Sequence, residues 1–221
     1  MIKLAIFDLD GTLLDTLEDI AAACDHALQA CGCGPRTLEE YRSFVGSGIM
    51  NLFRRALPEE KRTEENVMRM REAFVPYYEN HKSDRTKPYP GIKALLQQIT
   101  RMGILPAVAS NKYQEATEEL VAKYFPDIRF VTVLGQREGH PIKPDAGIIS
   151  EAICAAGCPG KDEVIYCGDS DVDMLTGINA GVRTVGVTWG FRTKEELAAY
   201  SPWLLADRPE QIARAVMLLE K

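Results

Sequence analysis

Short, fully apolar runs alternate with helical patterns along most of this chain, and the alternation breaks once, directly after the first run. The runs are 3–8 (KLAIFD), 104–109 (ILPAVA), 129–134 (RFVTVL), 164–168 (VIYCG) and 183–188 (RTVGVT), with a shorter candidate at 203–206 (WLLA). Such runs, rich in Val, Ile and Ala, predict strands buried on both faces. The stretches 91–102, 114–124, 145–156, 171–180 and 209–220 have helical periodicity. Strands that alternate with helices of this length predict an α/β fold: a parallel sheet with helices on both faces. The break covers residues 16 to 85, where the pattern predicts only helices, at 16–31, 37–44, 47–56 and 63–81, punctuated by Gly32, Gly34, Pro35 and Pro58. That is too long for a simple crossover. It predicts an inserted helical domain over the carboxyl end of the first strand, the edge where open α/β sheets bind ligands.

Composition narrows the function. With Lys+Arg 26 against Asp+Glu 32, a net charge of -6 and no basic tract, a nucleic-acid partner is not expected. An anionic substrate would have to be attracted locally. No stretch reaches the ~18 apolar residues of a membrane span. The first run is too short to read as a signal peptide, because Asp8 and Asp10 interrupt it. The six cysteines (Cys24, Cys31, Cys33, Cys154, Cys158 and Cys167) contain no C-x-x-C pair. They read as reduced packing residues of a cytoplasmic protein rather than as a metal site.

Four segments, each following a strand, carry the chemistry. The first run ends in Asp8-Leu9-Asp10-Gly11-Thr12. Two carboxylates ~4 Å apart repel by about 4 kcal/mol at an effective dielectric near 20, so a use or a counter-charge is implied. Residues two apart on an extended chain face the same side, Gly11 permits a sharp turn, and Thr12 can bond the local backbone or a carboxylate. The run at 164–168 ends in Asp169-Ser170-Asp171, with Asp173 two residues on. Carboxylates at neighbouring strand ends suit a hard divalent cation such as Mg²⁺. Read alone, Asp169 or Ser170 could equally cap helix 171–180, with Asp171 favoured by the helix dipole. Ser110-Asn111 follows the second run and could hold a phosphoryl oxygen, or could form an ordinary capped loop. Lys143, before Pro144, could neutralise phosphate and carboxylates together, or could be a solvated lysine. In the insertion, Gly46-Ser47-Gly48 precedes a helix. Its N–H groups could receive a substrate carboxylate, or it could be a plain turn. Arg54 and Arg55 are candidates for substrate charge, with surface roles as the alternative.

These residues resemble the haloacid dehalogenase-like hydrolases. Asp8-Leu9-Asp10-Gly11-Thr12 matches that family's first motif and Ser110-Asn111 its second. Lys143-Pro144 is similar to the third, and Gly168-Asp169-Ser170 with Asp173 to the fourth. The stretches FVGSGIMNLFRRAL (44–57), YPGIKALLQQITRMGI (89–104), SNKY and VGVTWGF (185–191) resemble the phosphoglycolate phosphatase branch. The resemblance implies a Rossmann-like catalytic core over 1–15 and 86–221 and an α-helical cap over 16–85. It further implies Mg²⁺ held by the Asp8 carboxylate, the Asp10 backbone carbonyl and the Asp169 carboxylate.

On that reading Asp8 attacks the phosphorus of a small phosphorylated metabolite, and an aspartyl-phosphate forms. Asp10 protonates the leaving alkoxide and later deprotonates water. Lys143 and Ser110 stabilise the equatorial oxygens. Asp173 orients Lys143 or a metal-bound water, and Thr12 orients Asp8. The expected substrate is 2-phosphoglycolate, and the expected state is a monomer or homodimer. A pyrophosphatase or a β-phosphoglucomutase-like phosphotransferase would share the motifs. A dehalogenase of the family would lack Asp10. A phospho-aspartate receiver domain gathers similar residues, but at about half this length and with no helical insertion.

Overall fold

A computed structural model describes residues 1–219. The chain runs β1 (Leu4–Phe7), β2 (Leu14–Asp15), α1 (Leu17–Ala30), α2 (Leu38–Phe44), α3 (Ile49–Ala56), α4 (Glu64–His81), β3 (Lys87–Pro88), α5 (Ile92–Arg101), β4 (Leu105–Tyr113) and α6 (Gln114–Tyr124). It continues through β5 (Val133–Gln136), α7 (Gly147–Ala155), β6 (Val164–Gly168), α8 (Asp171–Ala180), β7 (Arg183–Val187), α9 (Lys194–Ala198), β8 (Leu204–Ala206) and α10 (Pro209–Leu218). Glu220, the last residue of the helix predicted over 209–220, lies outside the described residues.

The parallel sheet has six strands in the order β5-β4-β1-β6-β7-β8. The chain builds outward from β1 to one side with β4 and β5, then to the other with β6, β7 and β8. This reversal opens a crevice at the carboxyl ends of β4, β1 and β6. Both faces are covered, as the continuous apolar runs require. Leu4 and Ile6 of β1 pack with Ile148, Ile149 and Ala152 of α7 and Ala180 of α8. Ala5 and Phe7 pack with Leu95, Leu96 and Ile99 of α5 and with Ile212 and Val216 of α10.

Helices α1–α4 bury a second apolar cluster, which Ala116 of α6 and Phe191 after β7 join from the sheet side. Ile20, Cys24, Ala27 and Leu28 of α1 meet Phe53 of α3 and Val67, Met70, Phe74 and Tyr78 of α4. The three- and four-residue spacing places each set on one helix face. The insertion leaves and rejoins the sheet through a two-strand ribbon that the sequence pattern does not reveal. Leu14 of β2 pairs with Pro88 of β3, and Asp15 with Lys87, antiparallel. Asp19, buried at the start of α1, accepts from Thr86 N at 2.8 Å, Thr86 Oγ1 at 2.7 Å and Arg85 N at 3.1 Å. This ties the exit of α4 to the entry of α1.

Two strand expectations shift. β4 continues past the predicted 109 to Tyr113 and so carries Ser110, Asn111 and Lys112 on extended backbone. The run predicted at 129–134 becomes regular only at Val133–Gln136. Val131 N donates to Pro106 O at 2.8 Å, but Pro106 has no N–H to return, and the ladder cannot close there. Short α9, which the sequence pattern also missed, opens on a reciprocal cap between Thr193 and Glu196.

Candidate active site

Asp8 leaves the end of β1 with its N–H on Cys167 O of β6 at 2.9 Å. The chain then turns through Gly11, whose φ of 87° favours glycine. A Cβ at Gly11 would lie 2.3 Å from Asp169 Oδ2. The turn therefore closes against the loop that follows β6.

Asp8, Asp169 and Asp173 are buried, and one carboxylate oxygen from each lies within 4.8 Å of the others. Lys143, 2% exposed, reaches in with Nζ 2.9 Å from Asp8 Oδ1 and 2.7 Å from Asp173 Oδ1. Tyr166 OH, on β6, donates to Asp173 Oδ1 at 2.7 Å and accepts from Lys143 Nζ at 3.0 Å. Asp173 Oδ2 accepts from Ser170 Oγ at 2.6 Å and Ser170 N at 3.1 Å, while Ser170 Oγ caps α8 through Asp173 N. Asp173 is thus fully engaged and fixes Lys143. Asp169 accepts from Thr12 Oγ1 at 2.9 Å and from Phe191 N at 2.7 Å. The sequence pattern assigns Thr12 to Asp8. Thr12 orients Asp169 instead, because the Gly11 turn carries it across to the β6 side.

The charges set the titration of the cluster. Burial raises Asp8 to about 7, with Lys143 opposing and Asp173 and Asp10 adding. Burial, then Asp173 and Asp8, hold Asp169 well above the usual carboxylate range against Phe191 N–H and the Thr12 hydroxyl. Asp173 goes the other way. Burial pushes it up, but Lys143's charge and the hydrogen bonds from Lys143, Ser170 and Tyr166 bring it below its ordinary value. Lys143 is likewise raised, because the carboxylates of Asp173 and Asp8 outweigh burial.

With all groups ionised, three carboxylates against one ammonium leave a buried charge of -2. Such a charge is stable only when paired. The donor set fits a divalent, oxygen-loving cation such as Mg²⁺. Asp8 Oδ1 is buried with no aligned hydrogen-bond donor, and Asp169 keeps lone pairs free on both oxygens. Asp173 is committed elsewhere, which leaves Asp8 and Asp169 as the carboxylates able to hold a metal. The structure also requires glycine at position 190, where a Cβ would lie 2.3 Å from Asp169 Cβ and 2.4 Å from Gly11 O.

Above this floor is a cleft of about 550 Å³. Asp8, Asp10, Ser110, Asn111 and Lys112 border it from the sheet, and Gly46, Gly48, Leu52, Phe74 and Tyr78 from the insertion. Asn111 braces the two sides: its Nδ2 donates to Gly46 O and Lys143 O, both at 3.1 Å, and its Oδ1 accepts from Lys143 N at 2.8 Å. Ser47 borders a second depression instead, with Arg54, Arg55 and, at its edge toward the cluster, Lys143. Arg54 is paired with Glu64 at 3.0 Å, and Arg55 donates to the carbonyls of Ser43 and Phe44. Arg192, after β7, bridges to the insertion by donating to Arg42 O at 2.6 Å and Val45 O at 3.1 Å, and pairs with Asp171 at 3.2 Å.

Sequence reasoning missed Lys112, Tyr166 and Gly190. Lys112 shares the parity of Ser110 on an extended strand, a signal present in the pattern. Tyr166 is a phenol in an otherwise apolar buried strand and needed a polar partner. All six cysteines are free thiols.

A family model described as "Haloacid dehalogenase-like hydrolase" matches residues 5–187. The chain belongs to the haloacid dehalogenase-like hydrolases. This family member is 30% identical to a phosphoglycolate phosphatase of Vibrio parahaemolyticus, over 97% of this chain and 96% of that protein. It is 34% identical to a phosphoglycolate phosphatase of Agrobacterium fabrum, over 85% and 81%. A crystal structure from Lactobacillus delbrueckii superposes with a TM-score of 0.91 at 33% identity, covering 97% of this hydrolase and 98% of that chain. Among the described residues no helix is long and apolar enough to cross a membrane.

Proposed function

We propose that this hydrolase is a Mg²⁺-dependent phosphatase of small phosphomonoesters, acting through an aspartyl-phosphate on Asp8, with 2-phosphoglycolate as the leading substrate. The observation that carries the proposal is the buried cluster of Asp8, Asp169 and Asp173 at the carboxyl ends of β1 and β6, with Lys143 beside an Asp8 oxygen that lacks an aligned donor. Likeness to the Vibrio and Agrobacterium phosphoglycolate phosphatases supports the choice of substrate.

Asp8 lies at the floor of the cleft, where its carboxylate attacks phosphorus. Asp10 borders the same cleft and gives a proton to the leaving oxygen, then takes one from the water that hydrolyses the acyl phosphate. Lys143 and the Ser110 hydroxyl stabilise the equatorial phosphoryl oxygens. The Asp8 and Asp169 carboxylates, with the Asp10 backbone carbonyl, would hold the metal. When bound, Mg²⁺ neutralises charge, so that an anionic nucleophile can meet an anionic ester. Asp173 and Tyr166 keep Lys143 in place, and Thr12 and Phe191 N–H keep Asp169 in place.

Residues 16–85 act as a cap on a core made of 1–15 and 86–221, closing over the bound ester and excluding water. Gly46 and Gly48 shape the cap side of the cleft. The protein works in the cytoplasm as a monomer or homodimer, on a small metabolite and not on nucleic acid. Purified protein with Mg²⁺ is assayed for phosphate release from a panel of phosphorylated metabolites, with Asp8→Asn alongside. Turnover in the wild type and none in Asp8→Asn is expected. Retained turnover in Asp8→Asn would refute the assignment of the nucleophile.

A further inference from the structure

We infer that Lys112 is the positioning residue for Asp10: it holds one carboxylate oxygen so that the other faces the leaving group, and it ties that setting to the cap through Tyr78. The inference rests on the proposed phosphatase reading. Lys112 Nζ donates to Asp10 Oδ2 at 3.0 Å, and the Lys112 side chain is 5% exposed. Asp10 Oδ1 is buried without a hydrogen-bond partner. A carboxyl group with one oxygen bound and one free is oriented, and the free oxygen is the one left to exchange a proton with substrate or water.

A second observation brings in the cap. Lys112 Nζ stands 4.8 Å from the ring centroid of Tyr78, which is 1% exposed on α4. This is within reach of a cation–π contact, which gains strength when desolvated. The next core residue, Tyr113, donates its hydroxyl to Glu79 beside Tyr78. Lys112 N also donates to Ser110 Oγ at 3.3 Å. The ammonium therefore spans the core acid/base and a cap ring, and its height on β4 is fixed beside the phosphate-binding hydroxyl. If the cap swings away, Lys112 loses the ring and Asp10 loses its fixed orientation. Cap closure and readiness of the acid become one event.

The test reads leaving-group dependence in kcat/KM, which reports steps up to departure of the leaving group. 2-Phosphoglycolate, or the alkyl ester of the panel turned over fastest, needs a proton on its leaving oxygen. 2,4-Dinitrophenyl phosphate does not. Lys112→Met is expected to lower kcat/KM about 100-fold for the alkyl ester and less than about 10-fold for the dinitrophenyl ester. Lys112→Arg, which keeps the cation, restores most of the alkyl activity. Lys112→Gln is carried in parallel, so that the comparison survives poor folding of the Met variant. In an Asp10→Asn background the further change Lys112→Met should cost less than about 3-fold on either ester, since the two residues act as a unit.

Equal losses on both esters would overturn the inference and make Lys112 a general anion anchor. A full second loss in the Asp10→Asn background would also overturn it. Absence of Asp8-dependent turnover of either ester in the wild type would overturn the functional reading itself, and this inference with it.

Discussion

Replacing Lys143 with methionine removes the cation set between Asp8 and Asp173, and the size of the penalty follows from the distances. At 2.7 and 2.9 Å and an effective dielectric near 20, each pairing is worth about 6 kcal/mol before desolvation. Most of that offsets the cost of burying the charges, so deletion of one partner is expected to cost ~3–5 kcal/mol. For a chain of this size that corresponds to a fall in Tm of roughly 6–20 °C.

The loss must depend on pH. Without Lys143, Asp8 and Asp173 lose the charge that draws both downward, and each takes a folded pKa above its unfolded value. Their contribution is then complete below the unfolded pKa and lost as pH rises through the folded one. Thermal melts of Lys143→Met in EDTA are therefore expected to lie closer to wild type at pH 5 than at pH 8. Adding Asp173→Asn removes one of the stranded carboxylates and should recover about half of the deficit at pH 8. A fall in Tm that is the same at both pH values, or a double variant no better than the single, would refute the reasoning.

Two further outcomes follow from the structure. Burial lifts Asp8 to about 7, above its unfolded value of ~3.9. In metal-free protein its contribution is complete below about pH 4 and lost as pH rises through about 7. Mg²⁺ takes the ionised form, so it should raise Tm more at pH 8 than at pH 5.5, and equal rises would contradict the metal site. Asp19→Ala strands the N–H groups of Arg85 and Thr86 at the neck of the insertion and should cost about 3 kcal/mol in urea denaturation. Asp19→Asn, which keeps an acceptor oxygen, should recover part of that, and an unchanged midpoint for Asp19→Ala would show that the neck is not held there.

The sheet and the insertion were legible because parallel strands are buried on both faces and so write continuous apolar runs, as Leu4–Phe7 and Val164–Gly168 do. The convergence of Asp8, Asp169 and Ser110 was legible because each stands at the end of such a run, whereas Lys143 lies seven residues beyond Gln136 and was marked by the Pro144 that follows it. The ribbon of Leu14–Asp15 with Lys87–Pro88 was not, since two-residue strands leave no periodicity. The cross-links were hidden for another reason. The Thr12–Asp169 bond spans 157 positions, and the Lys112–Asp10 pair spans 102. Nothing local marks such partners until the strands are placed. The irregular start of β5 turns on the missing N–H of Pro106, a residue that the sequence shows plainly but whose effect depends on which strand lies beside it.

The central claim is that the Asp8 carboxylate becomes covalently phosphorylated during turnover, and chemical trapping tests it most directly. Protein quenched during turnover and reduced with borohydride should carry homoserine at position 8 on peptide mapping, and Asp8→Asn should carry none. Rapid release of inorganic phosphate with no modification at position 8 would contradict the account.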